Sequence, residues 1–440
     1  MSHFRIRACA VAWFATLTLG CFASDFAIRN GDRVVFLGDS ITEQRLYTTY
    51  IEAYALTRHP DWKLSFRNVG WGGDTSWLRQ RARPDEGRLF AAEGKDLDAM
   101  VEDSVGRGLA RDVLPLKPTF VTVKFGMNDH SYQAFRPDIF RAYSRSQTEI
   151  AKVLTGAGAR VAFLTPQPIE DKRPDPDQDA RNQSLRRFSD GLKEVAAASH
   201  AQFVDQFGPY MDRMLAARAS DPKALIGGGD AVHPGPPGQT LMAWIVLKGL
   251  GATPQVSAVE IHARSKSTRA TLCQIDNVTY ADGGVSFDRL DEALPMPVDP
   301  RAEAALGLAP ILDDLSQYLL RVAGLADGAY AITVDGEAVT SATAAELAGS
   351  VNLSNAGGPV TRQAREVLDL VFQKNNLYFE RWRRVQLYSP PDWAAGPEIE
   401  KRRAEELKRI DDEIAGFEAR IDAARTPRKH RVAITRAATP

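Results

Sequence analysis

Between about residues 27 and 250, short apolar runs alternate with helix-length segments, and this rhythm leaves the chain few architectures. Val34, Val35, Phe36 and Leu37 form a β-branched and aromatic run, and similar strand signals follow at 64–68, 119–125, 160–165 and 202–205. Helices are expected at 41–56, 97–114, 138–154 and 181–198, then up to about Arg218 and from Pro234 to Leu250. Pro115, Pro118, Gly156, Gly158, Pro166 and Pro168 punctuate the series. Near-continuous apolar strands in alternation with helices imply a parallel sheet covered on both faces, a three-layer α/β/α unit. Open sheets of this kind place their sites beyond the carboxyl ends of the strands.

The pattern changes near residue 255. Strand-like stretches at 256–262, 271–280, 285–289 and 330–339 carry the tight-turn signals Asp282-Gly283-Gly284 and Asp335-Gly336. With a helix expected at 303–315, they define a smaller β-rich accessory region at 255–345, after an α/β unit at 27–252. The remainder, 346–440, reads as helical. There Ile399, Leu407, Ile410, Ile414, Phe417 and Ile421 recur mostly at three- and four-residue steps among charged residues. That is an amphipathic helix, suited to pack back on its own chain or to self-associate through 399–421. The last dozen residues are basic and expected to fray.

At the amino terminus, Arg5 and Arg7 precede an apolar stretch at 8–19, followed by Gly20, Ala23 and Ser24. This is the pattern of a secretory signal peptide spanning 1–23, and it implies a secreted or periplasmic protein. The stretch is shorter than the ~20 residues a spanning helix needs, and no later segment suits stable membrane insertion. Cys21 after Gly20 offers a lipoprotein anchor as the alternative. Of the three cysteines, Cys9 and Cys21 fall in or beside the leader, so a processed chain would keep Cys273 and no internal disulfide. Stability then rests on a large core, which a chain of this length can build. With 55 Lys and Arg against 56 Asp and Glu, no basic surface is offered to nucleic acid.

Polar or glycine-rich stops after the strands, and before the last helix of the α/β unit, carry the chemistry. The first strand ends in Gly38-Asp39-Ser40, the second leads into Gly70-Trp71-Gly72-Gly73, and the third into Gly126-Met127-Asn128-Asp129. The last helix follows Asp230-Ala231-Val232-His233-Pro234. All should project from one sheet edge. Ser40 is a candidate nucleophile, which needs a base beside it. His233, pinned by Pro234, Pro236 and Pro237, is the candidate base, with His130 its closest rival. Asp230, three residues earlier, can reach the far ring nitrogen. Gly73, Asn128 and the Ser40 amide are candidate oxyanion donors. Trp71, Trp77 and Tyr132 lie near these motifs, to stack on a sugar, line an acyl pocket or pack in the core. There is no His-Glu-x-x-His motif and no Cys/His cluster with ligand spacing, so neither metal nor cofactor is expected.

These four stretches resemble the motifs of the SGNH hydrolase superfamily, the GDSL esterases and lipases, over about residues 30–250. The resemblance implies a flavodoxin-like arrangement of the sheet, a triad of Ser40, Asp230 and His233, an oxyanion hole of Ser40, Gly73 and Asn128, and hydrolysis of carboxylic esters through an acyl-enzyme. Ile41 stands where many members carry leucine, and Gly72 where serine is frequent. Many members remove acetyl groups from carbohydrates, so deacetylation of a carbohydrate is the expected reaction, on a small-molecule or polysaccharide ester. A general carboxylesterase or lipase for longer acyl chains is the alternative, and a non-catalytic glycan-binding protein on the same fold is a second.

Overall fold

The computed structural model describes residues 26–437. The leader expected at 1–23, with Cys9 and Cys21, lies outside the described residues. Five parallel strands form the first sheet: β1 (Arg33–Gly38), β2 (Ser65–Asn68), β3 (Phe120–Lys124), β4 (Arg160–Leu164) and β5 (Gln202–Val204). Their order is β2-β1-β3-β4-β5, so the winding direction reverses between β1 and β3. That reversal opens a crevice at the carboxyl ends of those two strands.

The period-two alternation of β1 explains the layers. Val34 and Phe36 pack into one apolar cluster, while Val35 and Leu37 pack into the other on the opposite face. Helices cover both faces: α1 (Ser40–Glu43), α2 (Leu46–Arg58), α3 (Arg79–Ala82), α4 (Glu86–Ala91), α5 (Gly94–Asp112), α6 (Pro137–Gly156), α7 (Ala180–Ala198), α8 (Phe207–Ser220) and α9 (Pro236–Gly249). The single helix expected at 41–56 is two. Arg45 takes a left-handed conformation at φ 59°, which breaks the helix and leaves α1 as a short turn behind Ser40.

Two further sheets follow. They use β6 (Gln255–His262), β7 (Ser267–Thr271), β8 (Cys273–Ala281), β9 (Gly284–Asp291), β10 (Gln317–Ala323), β11 (Ala329–Val334), β12 (Glu337–Thr343), β13 (Val351–Asn352) and β14 (His430–Arg436). Their orders are β13-β10-β6-β7 and β12-β11-β14-β9-β8. Short helices α10 (Ile311–Leu315) and α11 (Ala344–Gly349) lie between strands. β14 corrects the expected frayed end: the basic tail contributes the central strand of its sheet. Val432 and Ile434 alternate into the core at 2% and 0% exposure, which a count of basic residues conceals. Cys273 is buried and free.

Two long helices, α12 (Gly358–Phe379) and α13 (Pro397–Arg425), lie between β13 and β14. α12 packs on α2 through polar residues. Lys374 pairs with Glu52, and Asn375 Nδ2 donates to Glu52 Oε2 at 2.9 Å and Thr49 Oγ1 at 3.0 Å. The apolar edge of α13 turns inward: Ile410, Ile414 and Ile421 are each 3% exposed. Packing on its own chain takes up these three residues, while Ile399, Leu407 and Phe417 of the same stripe are only partly buried. Among the described residues no helix is long and apolar enough to cross a membrane.

Candidate active site

Backbone geometry places Ser40. Gly38 ends β1 where a Cβ would run into Thr42 Oγ1 and the Lys124 carbonyl, so only glycine lets the chain turn there. Asp39 caps α1, its Oδ1 accepting from the Ile41 amide at 3.0 Å. Ser40 is thus the first residue of a helix at the β1/β3 crevice. Beneath it, Asp39 and Lys124 are both fully buried. Burial pushes the Asp39 carboxyl up and the Lys124 ammonium down, each opposed by the other's charge.

His233 and Asp230, the expected base and its partner, come from the loop before α9. His233 Nε2 lies 2.9 Å from Ser40 Oγ, and His233 Nδ1 lies 3.0 Å from Asp230 Oδ2. Asp230 Oδ1 also accepts from the amides of Val232 at 2.8 Å and His233 at 2.7 Å. Partial burial would raise the Asp230 carboxyl, but these amides and the His233 ring outweigh it and hold the carboxyl below its ordinary value. Two interior residues steady this loop. Gln167 accepts from Lys124 Nζ at 2.9 Å and donates to the Val232 carbonyl at 2.9 Å. Glu170 accepts from the amides of Ile226 and Gly227, both at 2.7 Å.

Gly73 and Asn128 meet through Asp74. Gly73 has φ +73°, a conformation that favours glycine, and its carbonyl accepts from Arg79 Nε at 2.9 Å and Nη2 at 2.7 Å. Among the described residues its N–H has no backbone acceptor. Asn128 Nδ2 donates to the Asp74 carbonyl at 2.9 Å, and Tyr132 Oη donates to Asn128 Oδ1 at 2.9 Å. One amide hydrogen of Asn128 is therefore engaged and the second is left for a ligand. Asp129 ties the two loops together, accepting from Ser76 at 2.8 Å and Gly126 at 2.9 Å. Its burial pushes the carboxyl up to about 6. Arg81, fully buried, pairs with Asp74 and with Asp112, the latter at 3.0 Å.

Ser40, His233 and Asp230 are therefore hydrogen-bonded in series, and Gly73 and Asn128 are joined across one loop. The rival His130 is buried, its Nδ1 3.2 Å from the Gly126 carbonyl, and burial lowers it to about 4. Trp77 is core, 1% exposed, its indole bonded to Glu86 at 2.7 Å, so it is no sugar or acyl platform. Tyr132 is 41% exposed, at the lip of the site. The supporting Arg79, Arg81, Asp129, Gln167 and Glu170 escaped the sequence reading. Asp129, adjacent to Asn128, was the one within reach of motif reasoning. Among the described residues no group of three or more His, Cys, Asp or Glu is placed to hold a metal.

Residues 36–241 match the GDSL-like lipase/acylhydrolase family. No curated protein matches the chain. Among solved structures, the gut microbial diltiazem-metabolizing enzyme BT4096 is 23% identical, covering 93% of this chain and 98% of its own at a TM-score of 0.75. The acetylxylan esterase Axe2 of Geobacillus stearothermophilus is 20% identical, covering 51% of this chain and 96% of its own at a TM-score of 0.39. LAE5, an α/β hydrolase from the metagenome of Lake Arreo in Spain, is 22% identical, covering 51% and 98% at a TM-score of 0.39. The first of these shares the fold across nearly the whole chain.

Proposed function

Because the chain is a member of the SGNH hydrolase superfamily and a serine ester hydrolase, we propose that Ser40, His233 and Asp230 are its triad, with the Ser40 amide, Gly73 amide and Asn128 Nδ2 as oxyanion donors. Ser40 Oγ attacks the ester carbonyl carbon while His233 Nε2 takes its proton. Asp230 holds Nδ1–H and stabilises the imidazolium. The three N–H donors meet the tetrahedral oxyanion. Collapse breaks the bond to the alcohol, which leaves with the proton from Nε2. Water, deprotonated by the same nitrogen, then cleaves the acyl-enzyme. The observation that carries this reading is the series Ser40–His233–Asp230 at 2.9 and 3.0 Å.

The proposed substrate is an acetyl ester of a carbohydrate. Long acyl chains need an apolar trough, whereas polar side chains border Gly73 and Asn128: Arg79 binds the Gly73 carbonyl, Gln80 lies against Gly73 and Tyr132 binds Asn128. A leader removed after Ala23 would bring the enzyme to such a polymer outside the cytoplasm, which N-terminal sequencing of the mature protein tests. The functional test is a chain-length series of p-nitrophenyl esters with wild type and Ser40→Ala, followed by acetate release from acetylated polysaccharides. Diltiazem belongs in the same panel, since a protein of similar fold metabolizes it. Turnover should be highest on acetate and absent in Ser40→Ala. Rates rising toward long acyl chains would sink the acetylesterase reading, and an undiminished Ser40→Ala would sink the site.

A further inference from the structure

The helical C-terminal segment reaches the Gly70–Asp74 loop through two neighbouring side chains, Trp382 and Arg383. After α12 the chain winds as a π-helix over Glu380–Gln386, an uncommon geometry that often marks functional positions. Within it, the Arg383 guanidinium lies 3.9 Å from the centroid of the Trp71 ring. Its Nη2 is 3.5 Å from Glu43 Oε1. The neighbouring Trp382 meets Trp71 edge-on, with ring centroids 5.7 Å apart.

Glu43 is the link. It is the last residue of α1, the helix that begins at Ser40. Its Oε2 accepts from the Gly72 amide at 2.8 Å, while Arg45 engages only its main-chain carbonyl, at 2.6 Å. Arg383 thus fastens the ring of residue 71 and, through Glu43, the amide of residue 72. The next N–H along the chain is that of Gly73. The Arg383 and Glu43 side chains are 21% and 22% exposed, so water screens the pair only in part.

We propose that Arg383 is a positioning residue. Through Glu43 and Trp71 it sets the Gly73 N–H against the carbonyl oxygen of a substrate bound at Ser40, which makes the helical C-terminal segment part of the catalytic unit. The proposal rests on the reading of Gly73 as an oxyanion donor. A donor displaced by about 1 Å can cost on the order of a hundredfold in rate, so a side chain that never touches substrate has leverage on turnover.

The test is steady-state hydrolysis of p-nitrophenyl acetate by the full chain carrying Arg383→Ala, Arg383→Lys, Glu43→Gln or Arg383→Ala with Glu43→Gln. Arg383→Ala should lower kcat about 10- to 100-fold with KM within about twofold. Arg383→Lys keeps the charge and should recover part of the loss. The double variant should be no worse than the poorer single one, since both act through one contact. Inactivation by diethyl p-nitrophenyl phosphate, which also builds negative charge on an oxygen at Ser40, should slow in step with kcat. Arg381→Ala is the control for local folding: Arg381 pairs with Asp411 at 2.8 Å in the same segment, and this variant should keep full activity. Unchanged kcat in Arg383→Ala, additive losses in the double variant, or an equal loss in Arg381→Ala would overturn the proposal. Ser40→Ala in the same assay separates the two readings. If it is inactive while Arg383→Ala is fully active, only the clamp fails; if it turns over normally, the site reading fails and the clamp with it.

Discussion

On the wall that carries Gly73 and Asn128, the supporting residues Asp74, Arg81, Asp112 and Asp129 are all buried, whereas on the wall that carries His233, the residues Gly228, Gly229 and Asp230 are exposed. The first wall is a network of interior charges and amides drawn from the loops after β2 and β3 and from α3 and α5. The second is a short turn in which Asp230 binds amides two and three residues ahead, flanked by Pro234, Pro236 and Pro237. The difference follows from what each wall must do in the proposed mechanism. Oxyanion donors must already point at the developing charge, since reorganising them would spend the gain. A base that shuttles a proton tolerates water nearby and needs only its tautomer and reach fixed.

The largest effect should be common to both walls. Ser40→Ala and His233→Ala should each reduce kcat by about a millionfold, and the double variant should be no worse, because the two act as one unit. A double variant much slower than either single one would break the unit. Next, Arg81→Met should separate the walls. It leaves Asp74 unpaired in the interior, and breaking such a pair costs about 3–5 kcal/mol of stability. Urea unfolding should show a large fall in the midpoint, with activity lost alongside. Asp230→Ala, on the exposed wall, should cost far less stability while also suppressing kcat. Equal destabilisation by the two would mean that the walls are not built differently. Asn128→Ala should follow, lowering kcat by about a hundred- to a thousandfold with little change in KM.

A pH series sharpens the same contrast through two carboxyls of opposite sign. Burial raises Asp129 to about 6 from an ordinary 3.8. Its contribution to stability is therefore complete below the ordinary value and is lost as pH rises through about 6. Asp230 is held below its ordinary 3.8, so its contribution is present above that value and is lost only as pH falls through the lowered one. Asp129→Asn should flatten the stability profile between about pH 4 and 6. Asp230→Asn should change it only at more acid pH, and weakly, because its side chain is 67% exposed and solvent screens the interaction. A flat wild-type profile between pH 4 and 6 would remove the buried-charge account of Asp129.

The same contrast decides how much was legible in the sequence. The exposed wall is local: Asp230, His233 and Pro234 lie within five residues, so a motif that resembles one of a known family could point to them. The parallel sheet was legible for a related reason, since each strand announces itself as a short apolar run. The buried wall is not local. Arg81 meets Asp112 31 residues away, and Asp129 accepts from the Ser76 amide 53 residues away. A charged residue in such a pair looks like any surface residue until the fold is known. α2 shows the same blindness, for Thr49 and Glu52 face α12 more than 300 residues on. β14 shows it in a sheet: a strand that fills the gap between β11 and β9 has no local partner in sequence.

Tyr132→Phe should give the smallest effect and test where the buried wall ends. The Tyr132 hydroxyl donates to Asn128 Oδ1 at 2.9 Å, which polarises the amide whose free N–H the mechanism uses. Burial, aided by the nearby carboxylates, pushes the phenol up to about 12, so it remains a donor throughout an ordinary assay range. Yet Tyr132 is 41% exposed, and water can take its place on Asn128 once the hydroxyl is gone. A neutral hydrogen bond with that option is worth about 1 kcal/mol. The expected result is a fall in kcat of about tenfold or less, with KM and the thermal midpoint unchanged. A loss as deep as that of Asn128→Ala would place the Tyr132 hydroxyl on the substrate itself. A loss of stability like that of Arg81→Met would move Tyr132 inside the buried network and shift the boundary between the walls to the far side of its ring.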